Sequence, residues 1–238
     1  MTRSYEKKIL LVIVEGRTDS DALELCLSSI FSRDDLIVEI THGDVTSRAG
    51  VTPASIRRKV GKVVHAFLAR NHFLTRSDIR EVIQLTDTDG AFIPDEAVYQ
   101  NSTFGKIRYS TSAITTPCRR SILERNKRKS SCLKELVKTR TVLGSIPYRI
   151  FFMSCNIEHV LHNKLNCGER EKVKFALEFA LRFKDNPAGF KRFMESSDFA
   201  VLGGYEDSWN YIRRGTESLK RHSNLALAWH AHKAHPGS

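Results

Sequence analysis

Short apolar segments, each followed by polar residues or glycine, mark the first ninety residues. Residues 9–14 are six consecutive apolar residues, which is typical of a central strand in a parallel sheet that is covered on both faces. Residues 36–40 and 82–86 predict two more strands. Helical periodicity between the strands predicts helices at about 18–30 and 53–70. Strand, helix, strand, helix, strand is the order of an α/β fold with a parallel sheet.

The alternation stops between residues 91 and 147, where the chain is polar, basic and rich in Ser and Thr. Residues 104–109 resemble a strand, and Thr116-Pro117, a capping hydroxyl followed by proline, predicts the start of a helix that runs to about residue 140. That helix holds nine Lys or Arg against two Glu. A fourth core strand, residues 148–153, resumes the α/β pattern. We interpret residues 91–147 as a basic insertion into the α/β core.

The rest of the chain is predicted to be helical. The sequence therefore predicts a Rossmann-like core of four parallel strands in residues 1–160, insertion included, followed by an α-helical extension in residues 161–238. The predicted helices are residues 157–165, 169–184, 188–195 and 206–221, and a short last helix that runs through Trp229.

Charge changes the picture, because 38 Lys and Arg stand against 27 Asp and Glu and give a net charge of +11. Such a surplus favours a polyanionic partner, with nucleic acid first. Without an apolar run of about 18 residues, no transmembrane helix is predicted. The N-terminus lacks a signal-peptide pattern and the five cysteines are scattered, so we expect a cytoplasmic protein. The candidate nucleic-acid-binding residues are Arg17, Arg119, Arg120, Lys127, Arg128 and Lys129.

Acidic residues follow the ends of the predicted strands. Glu15 comes directly after the first strand, and Asp87 and Asp89 come after the third. Ligands of open α/β sheets bind at this edge, where strand ends meet helix N-termini. Crowded carboxylates repel each other unless a cation neutralises them, and Mg²⁺ prefers oxygen ligands. Residues i and i+2 of an extended segment point to the same side, so Asp87 and Asp89 are expected to reach one metal or a close metal pair.

These motifs resemble the Toprim domain, which topoisomerases, bacterial primases and the overcoming-lysogenization-defect (OLD) nucleases share. Residues 12–19 match its hydrophobic strand ending in Glu-Gly with an acidic residue soon after, and residues 85–89 match its later strand ending in Asp-x-Asp. Residues 152–162 loosely resemble a Ser-Asn-Pro-x-Phe-Glu-x-Trp stretch of RloB-like Toprim proteins from phage-defence loci, but the proline is missing. The resemblance covers roughly residues 8–160.

The resemblance implies a Mg²⁺- or Mn²⁺-dependent nuclease that cleaves DNA or RNA, with Glu15, Asp87 and Asp89 as catalytic residues. Asp19 and Glu158 would be further metal ligands beside those three. It also implies a phage-defence or restriction setting, an ATPase partner and oligomerisation through the phenylalanine-rich C-terminal helices. The alternatives are a non-catalytic Toprim module that binds nucleic acid or assembles with partners, and a primase-like nucleotidyl transferase.

The acidic residues also have structural interpretations. The segment Asp87-x-Asp89-Gly90 has the composition of a turn. Asp19 and Glu158 fall in the first turns of predicted helices, where the helix dipole favours acidic residues without any function. The basic helix at 119–140 could be an ordinary charged surface.

Overall fold

Parallel strands with long apolar segments form the centre of the protein. The structure is a computed structural model, and it describes residues 7–32, 35–43, 45–46 and 50–233. The strands of the described residues are β1 (Lys8–Val14), β2 (Leu36–His42), β3 (Ile79–Asp87), β4 (Val98–Gln100), β5 (Arg108–Tyr109), β6 (Ile114–Thr116), β7 (Thr141–Val142) and β8 (Ile146–Met153).

The main sheet has the order β2-β1-β3-β8-β7. The first four strands in that order pair in parallel, and β7 adds an antiparallel edge. Residues 9–14 of β1 are buried on both faces, which explains why this strand does not alternate between apolar and polar residues. The predicted α/β fold with four parallel core strands is therefore confirmed. A small second sheet, β4-β6-β5, comes from the segment predicted as an insertion.

Helices cover both faces of the main sheet. Their first residues agree with the bounds predicted from the sequence better than their last residues do. The predicted helix at 206–221 is wrong in its second half: it ends at Ile212, and Gly215 has a positive φ of 46° that breaks it. The helices of the described residues are α1 (Arg17–Phe31), α2 (Pro53–Arg70), α3 (Arg119–Lys138), α4 (Ile157–His162), α5 (Glu169–Phe183), α6 (Pro187–Met194), α7 (Tyr205–Ile212) and α8 (Leu227–Lys233).

The segment predicted as an insertion supplies a helix to the core. The apolar side chains Cys132, Leu133 and Leu136 of α3 are fully buried in the cluster that contains residues of α2 and β8. Because α3 lies between β3 and β8 in the chain, it is the helix that connects these two parallel strands. The strand predicted at 104–109 is wrong in its first half, since only Arg108–Tyr109 is a strand and Gly105 has a φ of 62°.

The C-terminal helices cover the other face of the sheet. Phe179, Phe183 and Phe190 are buried in one core cluster with residues of α1, β1 and β8. These rings therefore fill the interior, and oligomerisation through them remains a prediction. The apolar side chains that α5 exposes are Val173, Leu177 and Leu181. Across the described ranges, no helix is long and apolar enough to cross a membrane.

Candidate functional site: an acidic cleft at the carboxyl edge of the sheet

The carboxyl edge of the main sheet carries a cleft of about 590 Å³. The ends of β1 and β3 lie next to each other there, and the first turns of α1, α4 and α5 complete the walls. We call it the acidic cleft. It brings together the five acidic residues that the sequence singled out, and Arg17 with them: Glu15, Asp19, Asp87, Asp89, Glu158 and Arg17.

Glu15 ties the ends of the two central strands together. Its Oε1 accepts hydrogen bonds from Thr86 Oγ1 at 2.6 Å, from the backbone N–H of Asp87 at 3.2 Å and from Thr46 Oγ1 at 3.3 Å. Hydrogen bonds to an ionised carboxylate stabilise the charged form. These three hydrogen bonds hold the Glu15 carboxylate in a fixed position at the floor of the cleft.

A buried lysine neutralises one side of the cleft. The Nζ of Lys129 lies 2.5 Å from Asp89 Oδ2 and 3.5 Å from Glu15 Oε1, and its side chain is 0% exposed. Burial alone would lower the pKa of Lys129, but the charges of Asp89 and Glu15 hold that pKa above its usual range. The prediction that Lys129 contacts nucleic acid does not fit its burial, because α3 directs its side chain to the carboxylates of Asp89 and Glu15 behind the wall of the cleft.

The Asp89 segment is a turn as well as part of the cleft. Asp89 and Gly90 have positive φ angles of 49° and 65°, and a Cβ on Gly90 would lie 2.5 Å from a side-chain atom of Leu219. The backbone at Asp89 is therefore not extended as the i, i+2 argument assumed, but Asp87 and Asp89 both line the acidic cleft. Burial would raise the pKa of Asp89, but the charges of Lys129 and Arg125 hold it below its usual range.

The other side of the cleft holds Asp87, which forms no ion pair with Lys129, although the charge of Lys129 partly opposes the effect of burial on the pKa of Asp87. Within the described residues, the Asp87 carboxylate makes no hydrogen bond or ion pair. Burial raises its pKa well above the usual range, and the nearby charges of Glu15, Asp19 and Asp89 raise it further. A carboxylate in this environment binds either a proton or an added cation.

Asp19 and Glu158 lie on the Asp87 side. The Asp19 carboxylate accepts a hydrogen bond from the backbone N–H of Gly16 at 2.9 Å, which caps α1. Burial and, to a lesser degree, the charge of Glu158 raise the pKa of Asp19 to about 6, against the opposing effects of Gly16 and Lys172. Glu158 is 6% exposed, and its carboxylate makes no hydrogen bond or ion pair with any described residue. The structural interpretation of Asp19 as a capping residue is confirmed, and its role as a metal ligand stays a prediction.

The cleft is not a closed metal cage. No group of three or more His, Cys, Asp or Glu among the described residues is arranged to hold a metal ion. Mg²⁺ does not require such a cage, because it commonly takes one or two carboxylates and completes its shell with water and substrate phosphate. The donor set of Asp87, Asp19 and Glu158 has the hard oxygen chemistry that Mg²⁺ or Mn²⁺ prefers. These residues fit one such ion better than Asp89 does, since Lys129 already neutralises Asp89.

Cations at the mouth of the cleft were only partly predicted. Arg17, the first residue of α1, is exposed and lines the cleft as expected. Lys106 and Lys172 line it too, but nothing in their local sequence singles them out. Lys106 follows the turn at Gly105, and Lys172 lies in the first turn of α5. Only the packing of these segments against the sheet edge brings them to the acidic residues.

The remaining basic candidates of α3 are dispersed. Arg119 donates from Nε to the carbonyl of Val98 at 2.8 Å, so part of its guanidinium is used within the fold. Arg120 is exposed and pairs with Glu124. Lys127 is exposed and Arg128 is half-buried. None of these four residues lines the acidic cleft.

Fold and site together define an α/β protein with a mostly parallel sheet and an acidic cleft at the carboxyl edge of that sheet. No family model matches this chain, and no curated protein or solved structure matches it. The resemblance to the Toprim domain therefore stays a prediction that rests on the motifs and their order.

Proposed function

We propose that the protein is a Mg²⁺- or Mn²⁺-dependent nuclease that hydrolyses phosphodiester bonds in DNA or RNA. One observation carries the proposal. The Asp87 carboxylate lies in the cleft without a hydrogen bond or ion pair from the described residues, while other carboxylates raise its pKa. A cleft of this charge is stabilised by a cation that also attracts phosphate.

Asp87, with Asp19 or Glu158, would hold the ion. When bound, it would polarise a phosphoryl oxygen and lower the pKa of an attacking water. Lys129 keeps Asp89 and Glu15 ionised without consuming a second ion. Glu15, held by Thr86 and the amide of Asp87, is the proposed general base or additional ligand. The rigid hydrogen bonds of Glu15 would reduce the reorganisation needed during the reaction.

The substrate class follows from charge. Arg17, Lys106 and Lys172 surround the carboxylates, so a phosphate backbone can approach a cleft that is acidic at its floor. The net charge of +11 gives the whole chain a long-range attraction for nucleic acid. The phage-defence setting and the ATPase partner belong to the proposal through the Toprim resemblance alone.

A nuclease assay tests the proposal. Purified protein is incubated with double-stranded DNA, single-stranded DNA and structured RNA, with Mg²⁺, with Mn²⁺ or with chelator. We expect cleavage that requires the metal and that Asp87→Asn and Glu15→Gln each abolish. Asp185→Asn is the matched control, because Asp185 is exposed and lies outside the cleft. Cleavage that persists in both cleft variants would contradict the proposed mechanism.

A non-catalytic nucleic-acid-binding module is the second candidate, and the lack of a closed cage among the described carboxylates favours it. Calorimetry separates the two functions. A nuclease should bind Mg²⁺ or Mn²⁺ in the presence of a non-cleavable nucleic acid, and Asp87→Asn should weaken that binding. Tight nucleic-acid binding that is indifferent to metal and to Asp87→Asn would support the module.

A further inference from the structure

A second cleft, of about 470 Å³, lies between α3 and the loop that follows Asp89. Its volume falls within the range of small-molecule sites. It shares no lining residue with the acidic cleft, so whatever it binds is separate from the proposed nuclease chemistry. We call it the α3 cleft. The residues used below are Asn126, Lys127 and Lys134 of α3, and Arg213 at the end of α7.

The α3 cleft contains cations without carboxylate partners. Lys127, Lys134 and Arg213 line it, and none of the three forms a salt bridge with a described residue. Two acidic residues, Glu124 and Asp95, also line the α3 cleft. Arg120 neutralises Glu124, so Asp95 is the one carboxylate of this lining that is not in a salt bridge with a described residue. Positive charge therefore predominates, the reverse of the acidic cleft.

Two buried donors in this wall have no acceptor within the described residues. Asn126 is 5% exposed, and its Oδ1 accepts from Arg125 Nε and Nη2 at 3.2 and 2.8 Å, which fixes the orientation of the amide. Its Nδ2 has no hydrogen-bond partner, and neither does Arg213 Nε. Burial without an anion also lowers the pKa of Arg213. Unused buried donors destabilise a protein unless something else accepts from them.

We propose that the α3 cleft binds a phosphate group. Its lining offers the charged donors of Lys127, Lys134 and Arg213 together with the amide donor of Asn126. A phosphate is a compact anion whose oxygens accept several such hydrogen bonds at once. The group belongs either to a free nucleotide or to the backbone of a nucleic-acid strand, and both sources present the same chemistry to these donors.

Calorimetry in chelator tests the proposal, because without a metal ion the acidic cleft repels anions. The titrants are orthophosphate, adenosine monophosphate and a short single-stranded oligonucleotide without a terminal phosphate. We expect orthophosphate to bind, and to bind about tenfold more weakly after Lys134→Gln, the loss of one charged donor. Asn126→Asp should abolish binding, since it replaces a donor by a negative charge of the same shape.

Lys138→Gln is the matched control. Lys138 is exposed on the same helix one turn further on, and it does not line the α3 cleft. Its affinity for orthophosphate should stay within about twofold of the wild type. If Asn126→Asp does not fold, the pair Lys134→Gln and Lys138→Gln still tests the proposal, because both side chains are exposed.

The titrants also identify the source of the phosphate. Displacement of orthophosphate by the oligonucleotide assigns the cleft to a nucleic-acid strand, and displacement by adenosine monophosphate alone assigns it to a nucleotide. The proposal is overturned if none of the three titrants binds. Equal weakening by Lys134→Gln and Lys138→Gln also overturns it, since that result would mean non-specific attraction to a basic surface.

Discussion

The carboxylates on the two sides of the acidic cleft are neutralised in different ways. On one side, Asp89 and Glu15 share the ammonium of Lys129, whose side chain is 0% exposed. On the other side, Asp87 has no ion pair with a described residue, and burial and neighbouring charges raise its pKa. Both sides gather partly buried carboxylates, but within the described residues only one side has a buried cation in ion pairs with them. On the other side the charges of Lys129 and Lys172 act on Asp87 without an ion pair.

This difference indicates how many external cations the site needs. Lys129 supplies a fixed positive charge that is paired with Asp89 and Glu15, and against the effect of burial this charge holds the pKa of Asp89 below its usual range. The side with Asp87, Asp19 and Glu158 is left to be neutralised by protons or by one metal ion. We therefore expect a single tightly required Mg²⁺ or Mn²⁺, with Asp89 serving mainly to hold Lys129.

Removing the charge of Asp87 should have the largest effect. Asp87→Asn should lower the metal-dependent cleavage rate at least about 100-fold, since it removes a proposed ligand of the ion. It should not destabilise the metal-free protein, because it also removes a repelled carboxylate. Cleavage rates and denaturant unfolding in chelator measure the two effects. If Asp87→Asn lowers the stability of the protein but keeps the cleavage activity, the roles assigned to the two sides of the acidic cleft would have to be exchanged.

Removing the internal cation should chiefly reduce stability. Lys129→Gln leaves Asp89 and Glu15 without their shared partner, so unfolding free energy should fall by about 3–5 kcal/mol. Denaturant unfolding at neutral pH measures it. Lys138→Gln, on the exposed side of α3, should change stability by less than about 0.5 kcal/mol. If both variants are equally stable, Lys129 does not neutralise the cleft as the structure indicates.

The sequence predicted the acidic residues of the cleft but not the lysine that divides it. Strand ends can be read from apolar runs, and parallel strands bring their ends to one edge, so Glu15 and Asp87 were accessible to prediction. Lys129 was grouped with surface cations because its helix is rich in Lys and Arg. A signal was present, since Lys129 lies seven residues from both Ile122 and Leu136, and all three are buried.

Contacts between distant segments account for the rest. Lys106 and Lys172 reach the cleft from segments whose local patterns indicate only a turn and a helix start. The ends of the helices are also hard to predict. The sequence stays polar beyond α7 and therefore does not reveal the positive φ of Gly215. Local composition predicts the helices and strands. It does not predict which Lys or Arg side chain becomes buried when these helices and strands pack together.

Proton binding on the Asp87 side gives a smaller effect that depends on pH. The pKa of Asp19 is about 6 in the folded protein, above its ordinary value of 3.8. The folded protein therefore binds more protons than the unfolded chain between these values, and stability falls as the pH rises from about 4 to about 6. In chelator, this contribution should be on the order of 3 kcal/mol. It is measured as the difference between wild type and Asp19→Asn.

Asp207→Asn is the control for this pH profile, because Asp207 occupies an exposed first turn in α7. The profile of this variant should follow that of the wild type. A wild-type profile that coincides with that of Asp19→Asn over the same range would show that Asp19 does not hold an extra proton.

Loss of one cation at the mouth of the cleft should have the smallest effect, because neither side depends on it for neutralisation. Arg17→Gln should weaken nucleic-acid binding a few-fold and reduce the slope of log K against log salt by about 1, the value of one phosphate contact. Stability should not fall, since a positive charge at the start of α1 is unfavourable to the helix dipole. Binding measured at several salt concentrations tests this, with the exposed Arg192→Gln of α6 as control. Equal slopes in the two variants would show that the strand does not pass the mouth of the acidic cleft at Arg17.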